Sequence, residues 1–146
     1  MNPEDVPAGS VALDTDVFSL IHLKKGRHEE FARLLVGHDP FALSFAVVGE
    51  LKVLPLRTKP PWGIKRREEL EAAITRCVVL PATAAVVDEW ARLSARFLDK
   101  LKGHGINDMW TAACCLVHGL PLATNNLSDF QTIAAEFPLR LVHPEL

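Results

Sequence analysis

The chain is poor in the features that mark several large classes of protein. It has three cysteines in 146 residues, Cys77, Cys114 and Cys115. An odd number with two of them adjacent suits neither a disulfide framework nor a zinc site, which leaves buried, reduced thiols as the expectation. No apolar run approaches the length of a membrane span, and the opening Met-Asn-Pro-Glu-Asp lacks the basic start of a secretory signal. A cytoplasmic location is expected by default. The six histidines are scattered, with no pair at ligand spacing on a recognisable helix, so a histidine-based metal site has little support. A net charge of −2 provides no broad cationic face for coating nucleic acid nonspecifically. Internal repeats, low-complexity tracts and a second domain are also lacking.

What is present is the mixture of a soluble globular chain, 49% hydrophobic and 23% charged, long enough for one layered core. Residues 1–10 read as a loose lead-in and 11–146 as one domain. Val11-Ala12-Leu13 reads as a strand ending at Asp14-Thr15-Asp16, followed by a helix over Val17–Lys25 that Gly26 ends. A second helix is expected over Arg27–Val36, a strand over Phe41–Phe45, and a helix over Ala46–Leu54 that carries Glu50. Pro55, Pro60, Pro61 and Gly63 predict an irregular connection over Leu56–Ile64. Helical spacing resumes over Lys65–Thr75, and Val78–Leu80 reads as a third strand. The longest helix is expected from Thr83 or Ala84 to Leu101, with Val87, Trp90, Ala91, Ser94, Phe97 and Leu98 on one stripe. Gly103-His104-Gly105 breaks it.

The next helix takes Asn107 as its N-cap and Asp108 in its first turn, and Gly119 stops it. Leu120–Ala123 is a strand, Thr124 to Asp129 a polar turn, Phe130–Glu136 a short helix and Leu139–Val142 a closing strand. The alternation predicts an α/β fold, a mostly parallel sheet with helices on both faces.

In such a sheet Asp14, Glu50, Asp108 and Asp129 fall where they can share the carboxyl edge of the strands, the edge at which open α/β sheets bind ligands. Taken singly, Asp108 is a helix-start acid and Asp129 an N-cap. Taken together, four carboxylates repel one another unless a cation neutralises them, and Mg2+ or Mn2+, with oxygen ligands, suits that task and metal-assisted phosphodiester hydrolysis. A second charged feature is the run Leu51–Arg67, which has six basic residues, Lys52, Arg57, Lys59, Lys65, Arg66 and Arg67, and no acid. It reads either as an anion-facing patch or as solvated surface.

Leu13-Asp14-Thr15-Asp16, Val48-Gly49-Glu50-Leu51, Ile106-Asn107-Asp108 with Ala112-Ala113, and Thr124-Asn125-Asn126-Leu127-Ser128-Asp129-Phe130 resemble, in order, the signatures of PIN-domain ribonucleases. The resemblance is to the VapC-type toxins of type II toxin–antitoxin pairs and spans Val11 to Val142. It implies a PIN-like three-layer fold and a Mg2+- or Mn2+-dependent endoribonuclease that inhibits translation or growth. A VapB-type antitoxin that covers the active site and a homodimer are the implied partners. Carried onto this chain, Asp14, Glu50 and Asp108 match the family's metal-binding acids. Asn126 stands where many relatives have the fourth acid, so Asp129 supplies the only carboxylate of that loop. Thr124 matches the loop threonine that bonds a neighbouring carboxylate. Asp16 replaces the Asn or Ser of many relatives, and capping of the first helix is its expected role. Trp110-Thr111 replaces a commoner aliphatic pair. Lys52, Arg57, Lys65, Arg66 and Arg67 are the candidate RNA contacts.

Two other functions fit parts of the pattern. A PIN-like module that binds RNA or protein without cutting it is motivated by Asn126. Asp14-Thr15-Asp16 after a strand mimics the nucleophile motif of haloacid dehalogenase-type phosphatases, but no lysine near Asn107 or Asp129 completes it. Phe18, Ile21, Leu23, Phe31 and Leu34 exceed what one core face needs, and read either as core or as a surface for an antitoxin or a second copy.

Overall fold

The computed structural model describes residues 6–57, 59–100 and 105–146. Half of the expected lead-in, residue 58 of the proline-rich connection and the break at Gly103-His104 lie outside the described residues, whereas the helix expected to run to Leu101 ends earlier, at Phe97, with Leu98 as its C-cap. In chain order the elements are β1 (Ala12–Leu13), α1 (Thr15–Leu23), α2 (His28–Leu34), β2 (Ala42–Ser44), α3 (Phe45–Arg57), α4 (Ile64–Thr75), β3 (Val78–Leu80), α5 (Ala84–Phe97), α6 (Gly105–His118), β4 (Leu122–Ala123), α7 (Leu127–Ala134) and β5 (Leu141–Val142). Among the described residues the strands form one sheet in the order β3-β2-β1-β4-β5, with every pairing parallel. All carboxyl ends therefore lie on one edge, and β1, which leads into Asp14, is the central strand.

The strands are only two or three residues long, yet their alternation divides the core cleanly. Ala12, Ala42, Val78, Leu80 and Leu122 face a cluster with Leu93 and Phe97 of α5, Met109 and Ala112 of α6, and Phe130 and Ile133 of α7. Leu13, Leu43 and Ala123 point the other way, against Val17 and Phe18 of α1, Phe31 of α2, Val47 and Leu51 of α3, and Leu70 and Ile74 of α4. A period of two on strands buried on both faces produces the expected three layers.

Several boundaries differ from the sequence expectation for identifiable reasons. Pro55 lies inside α3 and is buried, and the helix runs on to Arg57 at the cost of one backbone hydrogen bond. α1 ends at Lys24, itself left-handed with φ 54°, before Gly26 is reached. α6 begins at Gly105, so Asn107 is its third residue and not its N-cap, while Asp108 stays in the first turn. α7 begins at Leu127, which puts Asp129 in the first turn instead of at the cap. The buried stripe of α5 is Val86, Leu93 and Phe97 with half-buried Trp90, whereas Val87, Ala91 and Leu98 are exposed. Phe18 and Phe31 belong to the core, Ile21 and Leu23 are half-buried, and Leu34 is exposed. Cys114 and Cys115 are buried and Cys77 half-buried, all unpaired, and burial pushes the Cys77 and Cys114 thiols up to about 11 and about 12.

A small polar joint ties the sheet edge to two helices. Ser44, the last residue of β2, accepts the Val47 N–H at 3.2 Å as the cap of α3, and its Oγ lies 2.9 Å from the Thr111 hydroxyl of α6. Both side chains are buried. Phe45 of α3 and Trp90 of α5 meet Trp110 of α6, with centroids 5.2 and 4.6 Å apart. Trp110-Thr111 thus fixes the relation of α3 to α6, and so of Glu50 to Asp108. Ser44→Ala is expected to cost about 1–3 kcal/mol in chemical denaturation, because it removes a cap and leaves the Thr111 hydroxyl buried without a partner. A cost near zero would mean that the joint bears no strain of its own.

Candidate active site

Each site residue is placed by an element end at the carboxyl edge. The backbone of Asp14 continues the β1–β4 ladder, its N–H bonding the Ala123 carbonyl at 2.9 Å, and its side chain then caps α1. One carboxylate oxygen accepts the Thr15 N–H at 2.9 Å and the other accepts the Thr124 hydroxyl at 3.0 Å. Thr124 in turn accepts the Asn126 N–H at 2.9 Å, so a single threonine links the central acid to the last loop. Asp16 is one residue inside α1 and does not cap it. Its Oδ1 accepts Val17 N–H at 2.7 Å and Asn125 N–H at 3.4 Å, which latches the loop onto α1. Glu50 flanks the buried stripe Val47, Leu51 and Pro55 of α3 and is half-buried. Asp108 is 9% exposed in the first turn of α6.

Asp14, Thr15, Asp16, Glu50, Ile106, Asn107, Asp108 and Asn126 line an open cleft of about 540 Å³. Asp129 stands behind this lining. The Asn126 amide bridges the two, with Nδ2 3.1 Å from Asp129 Oδ2 and 3.4 Å from Asp108 Oδ2. One amide group of the loop therefore donates to both carboxylates.

Electrostatics follow from the burial and the crowding. Burial, then Asp16, push the Asp14 carboxyl from 3.8 up to about 7, against the opposing bonds from Thr15 and Thr124, with Glu50 adding a further increment. Burial also pushes Asp108 up to about 7, and the charges of Asp14, Asp129, Glu50 and Asp16 add to it. Asp16 is raised by burial too, although hydrogen bonds from Asn125 and Val17 and the charge of His143 oppose the shift. His143, at the end of β5, is a contributor that the sequence did not single out. No lysine or arginine lines the cleft among the described residues.

Among the described residues, no three His, Cys, Asp or Glu side chains close into a ready-made metal cage. The donor set nonetheless suits a hard cation. It consists of oxygens, it carries excess negative charge, and the cleft is open enough for water, as befits Mg2+, which is held by few carboxylates and keeps much of its own water.

The basic residues divide. Lys52 is 3.5 Å from Glu71, whereas Arg57, Lys59, Lys65, Arg66 and Arg67 are exposed and have no ion pair among the described residues. None of them lines the acidic cleft.

The PIN domain family model matches residues 11–136, which include every acid of the cleft and its loop. The chain belongs to the PIN domain family. A curated relative, Ribonuclease VapC4 of Mycobacterium tuberculosis, is 28% identical over 113 residues, covering 77% of this chain and 83% of that protein. Among solved structures, VapBC2 from Rickettsia felis bound to a DNA fragment from its promoter matches this PIN domain with a TM-score of 0.71 and 20% identity, over 90% of this chain and 96% of that one. VapC20 of M. tuberculosis, a Sarcin-Ricin loop cleaving toxin, matches with a TM-score of 0.60 and 21% identity, over 88% of this chain and 96% of that one. These likenesses show a shared fold. No helix among the described residues is long and apolar enough to cross a membrane.

Proposed function

We propose that this PIN domain is a Mg2+- or Mn2+-dependent endoribonuclease, the toxin of a type II toxin–antitoxin pair that inhibits translation or growth. The observation that carries the reading is the cleft itself. Two buried aspartates, each pushed up to about 7, share it with two further acids, and no lysine or arginine lines it among the described residues. A folded chain keeps so unfavourable a cluster where something positive occupies it. Asp14, Glu50 and Asp108 would hold the metal, with Asp129 completing the acidic set behind Asn126. A metal held there would supply polarisation of the scissile phosphate and activation of water.

The chain's own groups orient these ligands. Thr15 and Thr124 fix both oxygens of Asp14, Asp16 pins the loop through Asn125, and Asn126 donates to both Asp108 and Asp129. Lys52, Arg57, Lys65, Arg66 and Arg67 would contact RNA outside the cleft, the last four more strongly because Lys52 is already paired. The relatives' names support a VapB-type antitoxin as partner. So does an apolar groove of about 770 Å³ beside α1, lined in part by Leu13, Phe18, Ile21 and Phe41. A homodimer, a cytoplasmic setting and a single domain over 11–146 complete the proposal.

The test is RNA cleavage by the purified chain with chelator, then with Mg2+ or Mn2+ restored. Cleavage is expected only with the metal. Cleavage that survives chelation would overturn the proposal, and metal-replete protein that binds RNA without cutting it would favour the non-catalytic module motivated by Asn126. The phosphatase alternative is disfavoured by the lack of a lysine among the described residues that line the cleft.

A further inference from the structure

The connection between α3 and α4 holds a feature that charge alone does not require. Trp62 is half-buried, packs against the core beneath α3 and α4, and donates its backbone N–H to the Pro55 carbonyl at 3.3 Å. Over its ring lies the Arg66 guanidinium, with Cζ 3.6 Å from the ring centroid. At that distance the guanidinium must lie nearly flat on the ring, because a tilted group would drive a nitrogen inside the normal contact distance of about 3.5 Å. Arg66 is exposed and has no ion pair among the described residues. One planar face is thus occupied by Trp62 and the other faces solvent. The ring gives the arginine a defined seat.

The surroundings define what that outer face would meet. Arg57, Lys59, Lys65 and Arg67 are exposed, unpaired among the described residues, and close in sequence on either side of Trp62. Arg57 lies seven residues beyond Glu50 on the same helix, about 10 Å along its axis. The helix that carries Glu50 thus also carries a cation of this surface. Guanidinium planes and aromatic rings both stack on unpaired bases, while the flanking cations suit the phosphates between them.

We propose that the Trp62–Arg66 pair is a stacking platform for an unpaired base of single-stranded RNA, flanked by phosphate contacts from Arg57, Lys65 and Arg67. This rests on the ribonuclease reading and narrows its substrate to RNA with an unstacked base near the cut. Stacking on a plane recognises a base ring and no particular base.

The test is equilibrium binding by the full chain in chelator, so that no strand is cut. The probes are an unstructured oligoribonucleotide of about 12 nucleotides and an abasic oligomer of the same length and charge. The wild-type chain is expected to prefer the RNA about tenfold. Arg66→Lys keeps the charge and loses the plane, and should reduce that preference to less than about twofold with an unchanged salt slope. Arg67→Ala should lower the slope by about 0.7 and leave the preference intact. Because Arg66 is exposed, its replacement by lysine does not threaten folding, and circular dichroism checks this. An unchanged preference in Arg66→Lys, or equal wild-type binding of both probes, would overturn the platform and assign the surface to charge alone, as an acidic protein partner would use it. If the preference behaves as expected but the wild-type chain cuts no RNA with Mg2+ or Mn2+, the ribonuclease reading fails and the platform stands.

Discussion

Asp14→Asn and Asp108→Asn, each made singly, are expected to lower metal-dependent RNA cleavage by about 100-fold or more while the protein stays folded. Each substitution removes one proposed metal ligand and is nearly isosteric. At position 14 the amide oxygen can keep the Thr15 N–H bond, and the Thr124 hydroxyl can rotate to accept from the new NH2. At position 108 the new amide sits near Asn126 and removes one charge from a field that also contains Asp14, Asp129, Glu50 and Asp16. The metal-free variants should therefore melt no lower than the natural chain above neutral pH, and Asp108→Asn should melt higher. Cleavage assays and thermal melts on the same preparations separate the two effects. Cleavage at the natural rate in either variant would remove that residue from the proposed site, and loss of activity together with loss of fold would point to structure instead.

The second large effect is the dependence of stability on pH and metal. Asp14 and Asp108 are raised from 3.8 to about 7 in the folded protein. The folded state then holds these protons more tightly than the unfolded chain does. The stability they contribute is complete below about pH 4 and is lost as pH rises towards and past 7. For one such carboxyl the change is on the order of 4 kcal/mol, and the pair costs less than twice that because their mutual repulsion is shared. In chelator, the melting temperature set by these two groups should therefore fall by about 10 °C between pH 5 and pH 8. Mg2+ or Mn2+ should recover most of the loss at pH 8 and have little effect at pH 5, where protons compete for the same oxygens. A melting temperature that is flat across this range, or a metal effect of equal size at both ends, would mean that the two aspartates do not share the field described.

How much of this was legible beforehand depends on the range of the interaction. The alternation of short apolar runs with helical stripes was enough for a parallel α/β sheet, because strands covered on both faces must be apolar and the connections between parallel strands must be helical. Asp14, at the end of an apolar strand, and Asp108, in the first turn of a helix, were visible for the same local reason. Helix boundaries were less visible. Gly105 and Leu127 start helices earlier than their cap-like neighbours Asn107 and Asp129 suggest, because packing of α6 and α7 on the sheet outweighs local capping preference. Pro55 was read as a stop, yet α3 runs through it to Arg57.

Asp16 shows the limit within the site. Its sequence position fits a helix cap, yet Asp14 takes the cap and Asp16 bonds a backbone N–H more than a hundred residues away. Ser44 and Thr111 are 67 residues apart and carried no signal until β2 and α6 packed together. Arg66 looked like one charge in a basic run, and only its seat on Trp62 distinguishes it from its neighbours.

By itself the sequence determined the layering, the parallel order of alternating elements and the acids at their ends, since these follow from periodicities and helix and strand termini that a few neighbouring residues encode. Tertiary structure decided which oxygen faces which donor, that Asn126 donates to both Asp108 and Asp129, and which cations remain unpaired. Those outcomes depend on side chains brought together from distant parts of the chain, where burial and the field of neighbouring charges, which no local pattern records, set the chemistry.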